Sequence, residues 1–188
     1  LSKQQTETAE ENRTLQLASG YLDFTRQWLC DIGPDCTAIE MAERLAQRWQ
    51  RFFQTGSVCL FLTPAPAMQT VDVVLVEALG HSQKTVLDVE GIERVVPPAI
   101  ADKFSLLEAH DHLDWLTEQA DIELNASRTK LVPLLSNGRA VGVLAFELNY
   151  PGDAAMFAEK FEMAASMAGA VLAQTMNTEH RTDFAQRL

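Results

Sequence analysis

The chain has 188 residues, of which 47% are hydrophobic, and it carries 15 Lys and Arg against 26 Asp and Glu, a formal net charge of -11. This length favours one domain with additional helices, and it is sufficient to bury a sizeable core. The acidic balance argues against direct binding of nucleic acid or of an anionic membrane surface, because the overall field would repel phosphate groups.

The first residues and the hydropathy bear on location. No apolar run approaches the roughly 20 residues that a membrane helix needs, and the start LSKQQTETAEENR lacks the pattern of a signal peptide. We therefore expect a cytoplasmic segment without direct membrane insertion. Because the chain begins with Leu1 rather than Met, we interpret it as a piece of a longer protein. A membrane tether outside this chain stays open.

The first predicted element is a helix from about residue 8 to residue 30. It has two neighbouring apolar stripes, one formed by Leu15, Ala18, Leu22, Thr25 and Leu29, the other by Leu17, Tyr21, Phe24 and Trp28. An apolar face of this width indicates contact both with its own domain and with another helix. We assign residues 1–34 to an N-terminal signalling and dimerisation helix, with Leu15, Leu22 and Leu29 as candidates for the dimer interface.

A helix and several strands follow. Thr37-Ala38-Ile39-Glu40 has the form of a capping box, which predicts a helix to about Gln54. Hydrophobic runs and turn residues predict three strands and one turn: strands at 57–63, at 71–79 and near 85–89, with the turn at 80–83. Pro97-Pro98 opens a further helical stretch, and an acidic, mixed segment comes after it.

The stretch 131–148 contains two apolar runs that meet at Asn137-Gly138. Asn-Gly favours the type I′ turn of a two-residue β-hairpin. The expected register pairs Leu134 with Val141 and Pro133 with Gly142, and Pro133 places its strand at an edge or beside a broken neighbour. Both faces are apolar, so the sheet should be covered on both sides. One face would hold Leu131, Leu135 and Leu144, the other Val132, Leu134, Val141 and Val143.

The last helix follows Tyr150-Pro151-Gly152-Asp153, where we expect Asp153 to cap it. A stripe suited to packing on the sheet comprises Phe157, Phe161, Ala164, Ala168 and Val171. A displaced stripe takes over near Thr175, with Leu172, Met176, Phe184 and Leu188 as further candidates for the dimer interface. We interpret 175–188 as an exit helix that continues towards an output domain. A frayed chain end is the alternative.

The order of these elements, the hairpin ending in GRAVGVLAFEL, and the helix with PGD before it and FAEKFEMAASMAGAVLAQ inside it resemble the GAF domain. The resemblance covers about Ala38 to Gln174, and HLDWL followed by LVPLLSNGRAVGVL looks like GAF domains of bacterial sensor histidine kinases. It implies an α+β fold, an α/β sandwich similar to that of PAS domains. In that fold, long N- and C-terminal helices pack on one face of a central antiparallel sheet, and a small-molecule pocket lies on the other. We assign 35–174 to this sensory domain.

The functional motifs of the family cannot be placed in this sequence. The Asn-Lys-Phe-Asp-Glu signature of cyclic-nucleotide-binding members has no counterpart, and none of Cys30, Cys36 and Cys59 is followed by the His of bilin-binding members. The free methionine sulfoxide reductase, a GAF-fold enzyme, uses several cysteines around its pocket, whereas no cysteine follows Cys59 here. His110 and His112 form the one local cluster of metal-ligand type, without a third ligand, so we expect no metal site and no catalytic set.

The pocket lining should come from the sheet face away from the terminal helices and from the middle segment. The candidates are Cys59, Phe61, Phe104, Leu107, His110 and Trp115. Ordinary core is the alternative role for all six. An apolar and aromatic lining with one imidazole suits a small, mostly apolar ligand or none, and the sequence identifies no cofactor.

The sequence therefore predicts a non-catalytic sensory and dimerisation module of a bacterial signalling protein, with a histidine kinase as the expected parent. A parallel homodimer through the terminal helices would bury their spare stripes. An attached output domain would then read a change in their rotation or register. Two alternatives stay open: a small redox or hydrolytic enzyme on the same fold that uses Cys59 and His110, and a purely structural dimerisation spacer.

Overall fold

A computed structural model of the chain describes residues 11, 36–62, 70–88, 107–108, 123–125 and 127–187. Within these ranges the elements, in chain order, are α1 (Ala38–Phe53), β1 (Val58–Leu62), β2 (Thr70–Val76), β3 (Ser82–Asp88), β4 (Leu107–Glu108), β5 (Thr129–Ser136), β6 (Arg139–Glu147), α2 (Asp153–Met156) and α3 (Ala158–Arg187). Apart from Glu11, which is helical, the predicted helix over residues 8–30 lies outside the described residues. The helical stretch predicted after Pro97 and most of the acidic middle segment lie outside them as well.

The strands form one antiparallel sheet in the order β3-β2-β1-β6-β5-β4. Helices α1 and α3 pack together and against this sheet, and their buried residues share one core cluster with alternate residues of the strands. The predicted α+β fold is confirmed. In the described part of the chain, β4 pairs with Lys130 and Leu131 of β5, and the residues on either side of β4 lie outside it, so the edge position predicted from Pro133 stays a prediction.

The α1 helix begins where the capping box predicted. Thr37 has an extended backbone, and its Oγ1 accepts the backbone N–H of Glu40 at 3.3 Å, which satisfies one of the unpaired donors of the first turn. The helix ends at Phe53, and the C-cap residue Gln54 has a left-handed φ of 52°. Between these ends one face is buried, comprising Met41, Ala42, Leu45, Ala46, Trp49 and Phe53.

An aromatic cluster joins α1 to β6 and α3. The Trp49 ring lies 4.7 Å from Phe53, 5.2 Å from Phe146 and 5.7 Å from Phe161, and its plane is within 18° of the Phe161 plane. Trp49 is 0% exposed, and its indole N–H lacks a hydrogen-bond partner among the described residues. Aromatic pairs at such distances stabilise a core beyond their buried area, so this cluster fixes how the two helices sit on the sheet.

The β5–β6 hairpin turns at Asn137 and Gly138, whose φ values of 52° and 76° confirm the predicted Asn-Gly turn. The register agrees with the prediction next to the turn and then shifts by one residue. The observed pairs are Ser136 with Arg139, Leu135 with Ala140, Leu134 with Gly142, and Pro133 with Val143. The predicted pairing of Leu134 with Val141 and of Pro133 with Gly142 is therefore wrong, because an extra residue in β6 forms a β-bulge.

The bulge also moves the β6 residues that follow it to the opposite face of the sheet from the one predicted. A one-residue slip moves a strand's side chains to the opposite side of the sheet. Leu144 pairs with Val132 and both belong to the core cluster under the helices, whereas Leu144 was predicted to share a face with Leu131. Val143 lies on the other face. The prediction was correct for β5 and wrong for β6 beyond the bulge.

Gly142 lets β6, β1 and α3 approach one another closely. A Cβ at this position would lie 2.9 Å from the carbonyl oxygen of Phe61 and 3.4 Å from Cδ2 of Leu172. Leu172 is 0% exposed and belongs to the core. Its side chain fills the space above Gly142 and is unavailable to a second copy of the chain, which corrects its prediction as a dimer-interface residue.

The helix after the hairpin is interrupted near its start. Asp153 is the first residue of α2, and Gly152 occupies the N-cap position without a side-chain cap bond, so the prediction that Asp153 caps the helix is corrected by one residue. Phe157, with φ -112° and ψ 16°, separates α2 from α3. The predicted sheet-packing stripe is buried from Phe157 to Ala168, and Val171 is half-buried.

Contacts with the domain continue beyond Thr175. Thr175 is buried, and its Oγ1 donates to the carbonyl of Val171 at 2.9 Å. One turn later, Oε2 of Glu179 accepts the backbone N–H of Ala38 at 3.1 Å. A carboxylate at the start of α1 is favourable because the helix dipole is positive there. The first turn of α1 is thus tied to α3 at Glu179. Within the described ranges, none of the helices has the length and apolar character required to cross a bilayer.

Candidate functional site

The sheet face opposite the helices is also buried. Its buried residues alternate along the strands with those of the helix-covered face, and they are Cys59, Phe61, Val71, Val73, Leu75, Leu131, Val143 and Ala145. The prediction of a sheet covered on both sides is confirmed by this pattern. Cys59 and Phe61 lie on the face where the sequence placed them.

Cys59 is poorly suited to covalent chemistry. It is 0% exposed, and burial raises the pKa of its thiol well above the ordinary value. Since the thiolate is the reactive form of cysteine, a thiol that stays protonated in an apolar layer is a weak nucleophile. The geometry therefore disfavours the alternative of a redox enzyme that uses Cys59.

Several predicted residues lie outside the described part of the chain. Among the pocket candidates these are Phe104, His110 and Trp115, and for Leu107 the backbone alone is described, paired with Leu131. Among the dimer candidates these are Leu15, Leu22, Leu29, Leu188 and the side chain of Phe184. Met176 is half-buried and packs against the core cluster. The roles assigned to these residues stay predictions.

A cleft of about 510 Å³ opens at one end of the sheet, and the described residues that line it are Ser57, Leu75, Glu77, Ala78, Leu79 and Glu123. Three segments meet there. Residues 55–57 form the loop wall, residues 77–80 form the turn wall, and Glu123 precedes β5. Leu75 continues the buried second face to the cleft, whereas Leu79 is 91% exposed. The cleft is thus an open end of the buried layer, with apolar and acidic groups side by side.

The loop wall is fixed by Glu147 at the end of β6. Its Oε1 accepts the N–H of Ser57 at 3.2 Å, and its Oε2 accepts the N–H of Asn125 at 3.3 Å and contacts Nη2 of Arg128 at 3.2 Å. Glu147 is 8% exposed. Because bonds to a carboxylate are stronger than neutral ones, this side chain holds the loop wall and the segment beside Glu123 together.

The turn wall is held by bonds of its own and by a side chain of α1. Glu77 donates its N–H to the carbonyl of His81 at 2.8 Å, and its carbonyl accepts the N–H of Gly80, also at 2.8 Å. Gly80 has a φ of 93°, which glycine adopts without strain. Nε2 of Gln50 donates to the carbonyls of Glu77 at 2.7 Å and of Gly56 at 3.1 Å. Both walls therefore share one donor group.

Sequence reasoning missed all of these cleft residues. Leu79 was predicted to lie in a strand. In the sequence, Gln50 cannot be distinguished from any other polar residue on a helix. The one usable signal was Gly80, which marks a turn, although the strand ends at Val76 and the turn begins three residues before that glycine.

The lining charge limits what the cleft can hold. It contains the carboxylates of Glu77 and Glu123, and Oε1 of Glu77 accepts a bond from Nε2 of Gln83 at 3.3 Å. Among the described lining residues, the charged side chains are these two carboxylates. Within the described ranges there is no group of three or more His, Cys, Asp and Glu that could hold a metal ion.

Comparisons with known proteins identify the fold. No protein-family model matches the chain, and no curated protein matches it. Several solved structures are similar to it, and three of them illustrate the likeness. Residues 122 to 287 of a methyl-accepting chemotaxis protein have a TM-score of 0.55 at 13% identity, covering 84% of this chain and 98% of that one.

The other two are GAF domains. The GAF domain of the Acinetobacter phosphoenolpyruvate-protein phosphotransferase has a TM-score of 0.53 at 16% identity, covering 85% of this chain and 97% of that one. The A. aeolicus nlh2 GAF domain has a TM-score of 0.54 at 10% identity, covering 86% and 98%. At these identities the likeness concerns architecture rather than activity. The chain therefore has the GAF fold.

Proposed function

We propose that this chain is a non-catalytic sensory and dimerisation module of a cytoplasmic, bacterial signal-transduction protein, with a histidine kinase as the parent. It relays small-molecule binding through its flanking helices to an attached output domain. The observation that carries the proposal is the continuity of α3, a helix of 30 residues that starts in the core beside the hairpin and runs on to Arg187. The fold that the chain shares with part of a chemotaxis protein supports a signalling role.

The three parts of the chain have different roles in this proposal. Residues 1–34 serve as the signalling and dimerisation helix, residues 35–174 as the sensory domain, and residues 175–188 as the exit helix. The bond between Glu179 and Ala38 supports a mechanical link between the exit helix and the start of the sensory domain. A rotation of α3 relative to the sheet would therefore displace the start of the sensory domain at Ala38. Packed helices can transmit shear movements of this kind.

A parallel homodimer is the second part of the proposal. Two copies related by a twofold axis would place their exit helices side by side, and the half-buried Met176 would lie at the border of that contact. Multi-angle light scattering at about 100 µM protein should give twice the mass of 20.9 kDa. A monomer mass at this concentration would contradict dimerisation.

Ligand binding is the third part, and the cleft defines its charge preference. With Glu77 and Glu123 in the lining, a cationic or neutral ligand is favoured over an anionic one, since like charges repel. Titration of ¹⁵N-labelled protein with n-hexylammonium, hexan-1-ol and hexanoate separates these cases. We expect saturable shifts of the Ala78 and Leu79 amides with the ammonium ion and none with hexanoate. Stronger binding of hexanoate would refute the assignment of the cleft as the ligand site.

A further inference from the structure

The side chain of Gln50 connects the two walls of the cleft. Its Nε2 lies 2.7 Å from the carbonyl oxygen of Glu77 in the turn wall and 3.1 Å from that of Gly56 in the loop wall. A primary amide has two N–H donors, so each wall receives one. The two walls belong to chain segments about twenty residues apart, and a single group on α1 sets the distance between them.

Gln50 is also coupled to the end of α1 through its backbone. Its carbonyl accepts the N–H of Gln54, the C-cap residue, and that of Thr55 at 3.2 Å. The loop wall is therefore bound to Gln50 twice: the N–H of Thr55 donates to the Gln50 carbonyl, and the Gly56 carbonyl accepts from the Gln50 side chain. A displacement of this wall has to be taken up by the last turn of α1, because both connections are short.

The residue before Gln50 carries that displacement into the core. Trp49 is fully buried, and its ring is stacked on Phe161 of α3 at 5.7 Å. Close-packed interiors transmit small shifts because they contain little free volume. A movement at the end of α1 therefore reaches α3 directly, through the contacts of Trp49 and of Phe53 with Phe161.

We propose that Gln50 is a positioning residue that couples the cleft to the helix layer. When an occupant separates the walls, the amide cannot keep both bonds, and the last turn of α1 shifts with Trp49 against Phe161. The proposal rests on the proposed sensory function and names the side chain by which occupancy reaches the helices. It would fail without affecting dimerisation or ligand binding, each of which has its own test above.

The first experiment measures amide hydrogen exchange by NMR in the full chain. Gln50→Met keeps the length of the side chain and removes its donors, Gln50→Lys restores N–H donors, and Gln47→Met is the matched control one turn earlier. Because each wall loses one hydrogen bond of ordinary net strength, exchange in Gln50→Met should be about fivefold faster at the N–H groups of Gly56 and Gly80. Gln50→Lys should recover at least half of that protection, and Gln47→Met should leave it unchanged.

The amide of Leu60 in the middle of β1 is the internal reference, because a general loss of stability would accelerate it equally. Unchanged exchange at both walls in Gln50→Met refutes the bridge. Equal acceleration at Leu60 also refutes it, because Gln50 would then act on global stability. A response at Gly56 without one at Gly80 contradicts the claim that one side chain serves both walls.

The second experiment tests the coupling to the core with a stand-in for the ligand. Ala78→Trp adds bulk to the cleft lining, and the indole N–H resonance of Trp49, identified by its loss in Trp49→Phe, reports on the ring stack. We expect Ala78→Trp to shift this resonance when Gln50 is present and to shift it by less than a third as much in the Gln50→Met background. Equal shifts in both backgrounds, or no shift in either, would overturn the proposal.

Discussion

Gly169 lies where α3 crosses the end of β5, and its replacement tests the helix–sheet geometry. A Cβ added at Gly169 would overlap the carbonyl oxygen of Leu135 and lie 2.8 Å from the Leu135 nitrogen, whereas ordinary contact begins near 3.4 Å. Both atoms belong to the backbone, so no side chain can rotate away. Gly169→Ala therefore requires α3 to move outward by at least about 0.6 Å.

The expected cost follows from that displacement. A gap of this size forfeits roughly a quarter of the contact energy, and a large buried side chain makes roughly 50 contacts of about 0.1 kcal/mol each. For Phe161 and Leu172, both at most 1% exposed, the combined loss is about 2.5 kcal/mol. Because alanine has a higher helix propensity than glycine, the substitution also stabilises α3 by about 1 kcal/mol. The net destabilisation is therefore between about 1 and 2 kcal/mol, or about 3–7 °C in melting temperature for a chain of this length.

Chemical and thermal unfolding followed by circular dichroism give the free energy of unfolding for Gly169→Ala. Ser166→Ala on the exposed side of α3 is the matched control, and it should be neutral or stabilising by a few tenths of a kcal/mol because it changes propensity alone. If Gly169→Ala is as stable as the parent chain, or more stable, α3 does not approach the backbone of Leu135 closely enough to exclude a Cβ, and the prediction is refuted.

Three further predictions concern single buried groups. Trp49→Phe should change the free energy of unfolding by less than about 1 kcal/mol, because the smaller ring loses contacts but removes a buried N–H that has no hydrogen-bond partner among the described residues, while Trp49→Ala should cost about 3–5 kcal/mol in the same denaturation assay. The pKa of the Cys59 thiol is raised from 9.0 by burial, so stability should fall as pH rises above about 9, with a slope steeper than that of Cys59→Ala by up to about 1.4 kcal/mol per pH unit; equal slopes would contradict this. Glu147→Gln should cost about 1–3 kcal/mol through its contact with Arg128 and its two N–H partners, and Glu123→Gln, at an exposed carboxylate, should stay within about 0.5 kcal/mol.

The elements themselves were predictable because their signals are local. The Thr37 cap, the Asn137-Gly138 turn and the apolar runs of β1 and β2 act over a few residues each, and the structure confirms them. The register of the hairpin beyond the bulge was not predictable in the same way. It depends on the contact of Gly142 with the Phe61 backbone, a residue eighty positions earlier, and a turn preference carries no information about such a partner.

The wrong assignment of Leu172 has the same origin. Its spacing along the helix suggested a stripe turned away from the domain, because periodicity shows which residues share a face and not what that face meets. In the structure the absence of a side chain at Gly142 creates the space that Leu172 fills. Gly169 acts similarly for the backbone of Leu135. In both cases a glycine, which is unfavourable within its own strand or helix, allows that element to pack more closely against another.

The cleft was missed for a different reason, which concerns the kind of group that builds it. Its walls are held by the Gln50 amide and the Glu147 carboxylate through main-chain carbonyl and N–H groups, and main-chain partners leave no mark on the sequence. A binding site lined by conspicuous side chains can be read from motifs, whereas one shaped by backbone bonds appears only when distant segments are brought together. In a fold that serves many functions, this is also the kind of site that can change its ligand while the sheet and helices stay the same.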